Sequence, residues 1–217
     1  MNKNVYSLVL SENVVAEIDR LAYARHTNRS NLINRILAEY VSYTTPEMRT
    51  DSIFDALEAF ASATAGFRPA ERPSPTVLRI CSALEYKYNP NVRYSVEIYR
   101  HPGDSLGELK VSLRTQNSAL MLYLVSFFRL WARIEQANRP AGESAVAEGK
   151  FIKELVFPGQ RLDAADAEAL AGAINGYIKA FDSAMKAFFC CADSPAEAAE
   201  QVERIYREYR YGAEIPL

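Results

Sequence analysis

The sequence predicts an α+β protein. A strand-helix-helix module opens it, and an antiparallel sheet covered by helices follows. Three observations carry this. Apolar and polar residues alternate in three runs between 76 and 115, the period of half-buried strands. Helical spacing dominates 119–138, 163–191 and 195–211. Residues 4–43 combine one short alternating run with two short amphipathic helical patterns.

In the opening stretch, Tyr6, Leu8 and Leu10 fall on one parity and Val5, Ser7 and Val9 on the other. Ser11 is a suitable N-cap for a helix carrying Val14, Val15, Ile18, Leu21 and Ala22. His26-Thr27-Asn28-Arg29 interrupts the period. Ser30 is then expected to cap a second helix with Ile33, Ile36, Leu37, Tyr40 and Val41 on one face. Some forty residues are too few to bury a core alone. The simplest remedy is a second copy, its strand paired with the first.

The stretch resembles the ribbon-helix-helix DNA-binding family. The carrying residues are the alternating VYSLVL, the Leu10-Ser11-Glu12 helix start, the Ile18 and Leu21 pair and the Asn28-Arg29-Ser30 turn. The resemblance covers about a fifth of the chain. It implies a homodimer whose two-stranded ribbon enters the major groove of double-stranded DNA. Lys3, Val5, Ser7 and Val9 would then face the bases. Ser7 and Lys3 can hydrogen-bond, whereas Val5 and Val9 offer apolar contact only. Arg29, Ser30 and Asn31, at the start of the second helix, would hold a backbone phosphate, because a helix N-terminus presents free N–H groups and a positive dipole end. The expected role is a bacterial transcriptional regulator or plasmid-maintenance protein. The alternative is an assembly or partner-binding protein that uses the ribbon only to dimerise.

The predicted domains are 1–44 for this module, 45–75 for a connector and 76–217 for the α+β domain. The connector holds one amphipathic helix over 51–65 and then RPAERPSP, read as an extended linker because of its three prolines. In the third domain, strands carry Leu78, Ile80, Leu84, Tyr86 and Tyr88, then Val92, Tyr94, Val96 and Ile98, then Leu109, Val111 and Leu113. Asn89-Pro90-Asn91 and His101-Pro102-Gly103-Asp104 are the turns between them. Ser118 would cap a helix that is apolar almost all round at its start. Residues 139–150 read as a loop and Phe151 to Phe157 as a further strand or extended cover. The final helix follows Ser194-Pro195, an N-cap with proline at the first position.

Composition limits the chemistry. Of 217 residues, 49% are hydrophobic and 24% charged, with a net charge of −2, which argues against a broadly basic coat. Residues 1–45 hold five Lys or Arg and four Asp or Glu, a local balance of +1. No apolar run reaches the length of a membrane span, and no signal-peptide pattern opens the chain, so a cytoplasmic setting is expected. Cys81, Cys190 and Cys191 are odd in number and fit a reducing compartment. There is no phosphate-binding glycine loop, no metal spacing and no nucleophile elbow. His26 and His101, the two histidines, lie in different domains. No catalytic set, metal or cofactor is expected. Cys190 and Cys191 are expected as small core residues at a helix end. The polar sheet parity, with Arg79, Lys87, Arg93, Arg100, Lys110 and Arg114 and with Glu85 and Glu97 among them, is expected to be a solvated face of ion pairs, with an anion or nucleic-acid surface as the alternative. The α+β domain is free to bind an unknown ligand or protein, or to build dimers into a higher oligomer.

Overall fold

The computed structural model describes residues 7–86, 89–100, 103–138, 141–157, 164–213, 215 and 217. Among the described residues three helices precede the first strand: α1 (Glu12–Ala24), α2 (Arg29–Tyr40) and α3 (Pro46–Ala63). A six-stranded antiparallel sheet and three further helices follow. The chain divides into two compact units between Arg49 and Thr50, within the first turn of α3.

This order corrects the ribbon-helix-helix reading. That fold opens on a strand, and among the described residues of this chain the first elements are helices. Ser7 to Leu10 form no strand, and Leu8, Val9 and Leu10 are exposed. An alternating run forms a strand only where another edge takes its hydrogen bonds. Lys3 and Val5 lie outside the described residues.

In the first unit, Ser11 is the N-cap of α1 by backbone conformation, without a side-chain cap bond. The cap of α2 is Asn28 rather than Ser30. Its Oδ1 accepts from the Asn31 N–H at 2.9 Å, which satisfies one of the orphan donors of the first turn. His26 at φ 50° helps turn the chain between these helices. Thr45-Pro46 starts α3 ahead of the connector helix expected over 51–65. Thr45 Oγ1 accepts from the Met48 N–H at 3.2 Å, and Pro46 takes the first helical position, where its missing N–H is no loss.

In the second unit, the proline-rich stretch expected as a linker is a strand, β1 (Phe67–Ser74). It pairs with β2 (Val77–Ala83) through a register that slips on both sides of Glu71. Pro69 and Pro73 are tolerated because β1 is the sheet edge, where a missing N–H breaks no inner ladder. Next come β3 (Asn91–Ile98) and β4 (Gly107–Leu113), then α4 (Ser118–Ala137), capped by Asn117. Two short strands, β5 (Ser144–Ala147) and β6 (Lys150–Leu155), form a hairpin, so part of the expected loop is sheet. The chain closes with α5 (Ala164–Cys190) and α6 (Pro195–Gly212). Sheet order is β1-β2-β3-β4-β6-β5.

One sheet parity builds the core. Leu78, Ile80, Val92, Tyr94, Val96, Leu109, Val111 and Phe151 are buried there. Ile53, Phe54 and Leu57 of α3, the apolar stripe of α4, and residues of α5 and α6 complete it. Phe181 of α5 lies at its centre, with ring contacts to Tyr94, Phe127, Phe128, Trp131, Phe151 and Tyr177. Edge-to-face and tilted pairs of this kind add to the burial of apolar area. Arg72 of β1 ties the sheet edge to α3 through Asp55 at 2.5 Å and Glu58 at 2.7 Å.

Candidate functional site

Two places concentrate chemistry, one in each unit. In the first unit α1 and α2 form a helical hairpin. Ala22, Leu32 and Ala38 are its buried apolar residues. Val15, Ile18, Leu21 and Ile33 are half-buried. Val14, Ile36, Leu37, Tyr40 and Val41 stay exposed, Leu37 at 52%, Val41 at 66% and Tyr40 at 86%. The helical period therefore presents apolar side chains that the hairpin itself leaves exposed. Exposed large apolar side chains gathered on one hairpin mark a candidate interaction surface.

Of the residues expected to contact DNA, five are described. Ser7 and Val9 are exposed and belong to no strand. Arg29, Ser30 and Asn31 make up the first turn of α2, as expected, and are exposed. The Arg29 guanidinium is engaged, however. Its Nε donates to Asp19 Oδ1 at 2.7 Å and its Nη2 to Asp19 Oδ2 at 2.5 Å. This fork holds the Asp19 carboxyl below its usual range and raises the Arg29 pKa. Arg20 pairs with Glu17 and Arg35 with Glu39 along their own helices. The local positive charge is thus largely matched inside the hairpin.

In the second unit the sheet-facing side holds two buried polar clusters. Glu135, the last buried position of the α4 stripe, and Lys153, on the inward parity of β6, both have no exposed surface. Their Oε1 and Nζ lie 3.6 Å apart. Lys153 Nζ also donates to the Gly142 carbonyl at 2.8 Å. Glu135 Oε1 accepts from Tyr177 Oη at 2.8 Å, and that oxygen accepts from Trp131 Nε1 at 2.9 Å. Glu135 Oε2 and the Tyr206 hydroxyl are buried without a partner. Burial pushes the Lys153 pKa down. It pushes Tyr177 well above the ordinary phenol value and Tyr206 up to about 12, with the Glu135 charge adding in both cases. In the second cluster Tyr94 Oη donates to Asp182 Oδ1 at 2.8 Å. Lys186 Nζ stands 2.6 Å from Asp182 Oδ2 and 3.0 Å from Ser82 Oγ.

These clusters can hold elements together. Glu135–Lys153 joins α4 to β6, and Tyr94–Asp182–Lys186 joins β3 to α5 and β2. Both are closed to solvent over most of their atoms. Comparison with protein-family models, with curated proteins and with solved structures finds no match.

The open sheet parity carries the ion pairs expected of it. Lys110 faces Glu97 at 3.8 Å and bonds Glu108, and Arg79 bonds Glu71. Cys190 ends α5 and is exposed, and Cys191 is half-buried, so the first is not the core residue expected. His101 lies outside the described residues. Among the described residues no group of three or more His, Cys, Asp or Glu is placed to hold a metal. No described helix is long and apolar enough to cross a membrane.

Sequence reasoning missed Glu135 and Lys153, although both carry a signal. Glu135 follows Leu120, Leu124, Phe128 and Trp131 at helical spacing. Lys153 sits between Phe151 and Leu155 at strand spacing. A charge on an apolar parity is the mark of a buried, partnered group.

Proposed function

We propose that this protein is a non-enzymatic binding protein that works by association, with the α1–α2 hairpin as its association surface. The exposed apolar face of Val14, Ile36, Leu37, Tyr40 and Val41 carries this reading. A hairpin of 13- and 12-residue helices buries little by itself. Covering its apolar side with another chain removes that area from water and gives the unit the core it lacks. The natural first occupant is a second copy, which makes the protein a homodimer. The ion pairs of the second unit support the reading as braces of a rigid body, since Glu135 and Lys153 have no exposed surface and Asp182 is nearly buried.

A second reading keeps duplex DNA as the dimer's partner and a regulatory role with it. The exposed first turn of α2, with Arg29, Ser30 and Asn31, favours it. The matched charges of Arg20, Arg29 and Arg35 weigh on the other side. Fluorescence anisotropy with a duplex from the protein's own upstream region, against a scrambled duplex at two salt concentrations, separates the readings. Specific binding roughly a hundredfold tighter, lost as salt rises, supports DNA. Equal weak binding to both duplexes leaves protein association as the function.

A further inference from the structure

The second unit carries another open surface, independent of the hairpin. A groove of about 980 Å³, lined by apolar, polar and charged side chains, runs along α5 and α6. Ile205 and Tyr209 of α6, with Ile215 beyond it, form one wall. The α5 side is a single ridge of exposed or half-exposed positions: Glu168, Ala169, Gly172, Gly176, Lys179 and Ser183. Glycine disfavours a helix interior more than any residue but proline. Among the described residues an added Cβ meets nothing within 4 Å at Gly172, whereas at Gly176 it meets the Tyr209 ring of α6 at 3.8 Å. At Gly172 the open side lets a backbone approach closely from outside.

The charges on this ridge say which backbone. Glu168 and Lys179 line the same groove, are opposite in sign and have no ion-pair partner among the described residues. They lie three helical turns apart, roughly 16 Å at the helical rise per residue. Their midpoint falls next to the midpoint of Gly172 and Gly176. A two-fold axis there sets each Glu168 against the other copy's Lys179 and brings the glycines to the crossing point. This face is complementary to itself, as an isologous contact requires.

We propose that α5 packs antiparallel against α5 of a second copy, about an axis crossing the helix between Gly172 and Gly176. The groove is filled by the other helix, and the Glu168–Lys179 pairs close its two ends. Together with a hairpin dimer, this second contact builds assemblies larger than a dimer.

The test is sedimentation equilibrium of the full chain. Glu168→Lys sets lysine against lysine at both ends and is expected to weaken the α5 association roughly tenfold or more. The double exchange E168K/K179E restores the pairs with signs reversed and recovers the wild-type assembly. G172L/G176L prevents close approach and lowers the assembly mass by half. A monomeric wild type overturns the proposal. So does an assembly indifferent to Glu168→Lys, or a double exchange that fails to restore it. An assembly broken by Leu37→Asp but unmoved by Glu168→Lys keeps the hairpin reading and overturns this one alone.

Discussion

Replacing Lys153 by methionine tests the buried brace of the second unit. The side chain has no exposed surface, so methionine occupies nearly the same space without the charge. Two interactions vanish: the 3.6 Å approach to Glu135 and the 2.8 Å bond to the Gly142 carbonyl. Glu135 then keeps the Tyr177 hydroxyl as its one partner, with Oε2 already unpartnered. Breaking one side of a buried pair costs about 3–5 kcal/mol, because the remaining charge stays enclosed. Removing both charges in E135L/K153M leaves no enclosed charge, although the Tyr177 hydroxyl and the Gly142 carbonyl each lose a partner, at about 1–3 kcal/mol. The double variant should therefore be less destabilised than the sum of the two single ones, with a coupling of about 2 kcal/mol or more. Urea unfolding followed by Trp131 fluorescence and far-UV circular dichroism measures all four proteins. The pH dependence gives a second reading. Burial lowers the Lys153 pKa in the folded state below its ordinary 10.5. Between these two values the unfolded chain binds more protons, so this residue makes stability rise with pH up to about 10.5 and lie flat above it. Lys153→Met should remove that slope. Strict additivity of the single variants, with an unchanged pH slope, would refute the reasoning.

Asn28→Ala should weaken α2 by about 1 kcal/mol, since Asn28 Oδ1 satisfies the Asn31 N–H, and Ser30→Ala should change it far less. Faster amide hydrogen exchange confined to the hairpin would show this, and equal effects of the two variants would contradict the cap assignment. Gly107→Ala should destabilise the second unit by about 1–3 kcal/mol, because a Cβ there runs into the Glu97 carbonyl of the neighbouring strand. A neutral result in urea unfolding would mean that β3 and β4 are not held in this register. Arg72→Ala should loosen β1 from α3 by exposing the Asp55 and Glu58 carboxylates to one another, read as faster exchange along β1.

The parts of the fold that were legible are those where one physical pattern acted alone. Val92, Tyr94, Val96 and Ile98 alternate because one face of β3 is buried and the other is wet, and Leu109, Val111 and Leu113 repeat this on β4. The stripes of α4 and α5 are long enough for their period to be unmistakable. Two competing signals misled elsewhere. Prolines in RPAERPSP read as a linker, because sequence does not show that β1 is an edge, where proline is tolerated. Alternation at residues 5–10 read as a strand, because period alone cannot show whether a pairing edge exists. The hairpin face was legible as apolar, and its exposure was not, since burial depends on what packs against it. Glu135 and Lys153 stood at core positions of their own elements. Their pairing needed α4 and β6 to meet across the sheet, which no local pattern encodes.

Sedimentation equilibrium of the wild type and Leu37→Asp tests the central claim most directly. The account predicts that the wild type self-associates, and that a carboxylate in the middle of the hairpin's apolar face lowers the assembly mass without unfolding the second unit. A wild type that stays monomeric at all concentrations, or an assembly that Leu37→Asp leaves intact, would contradict it.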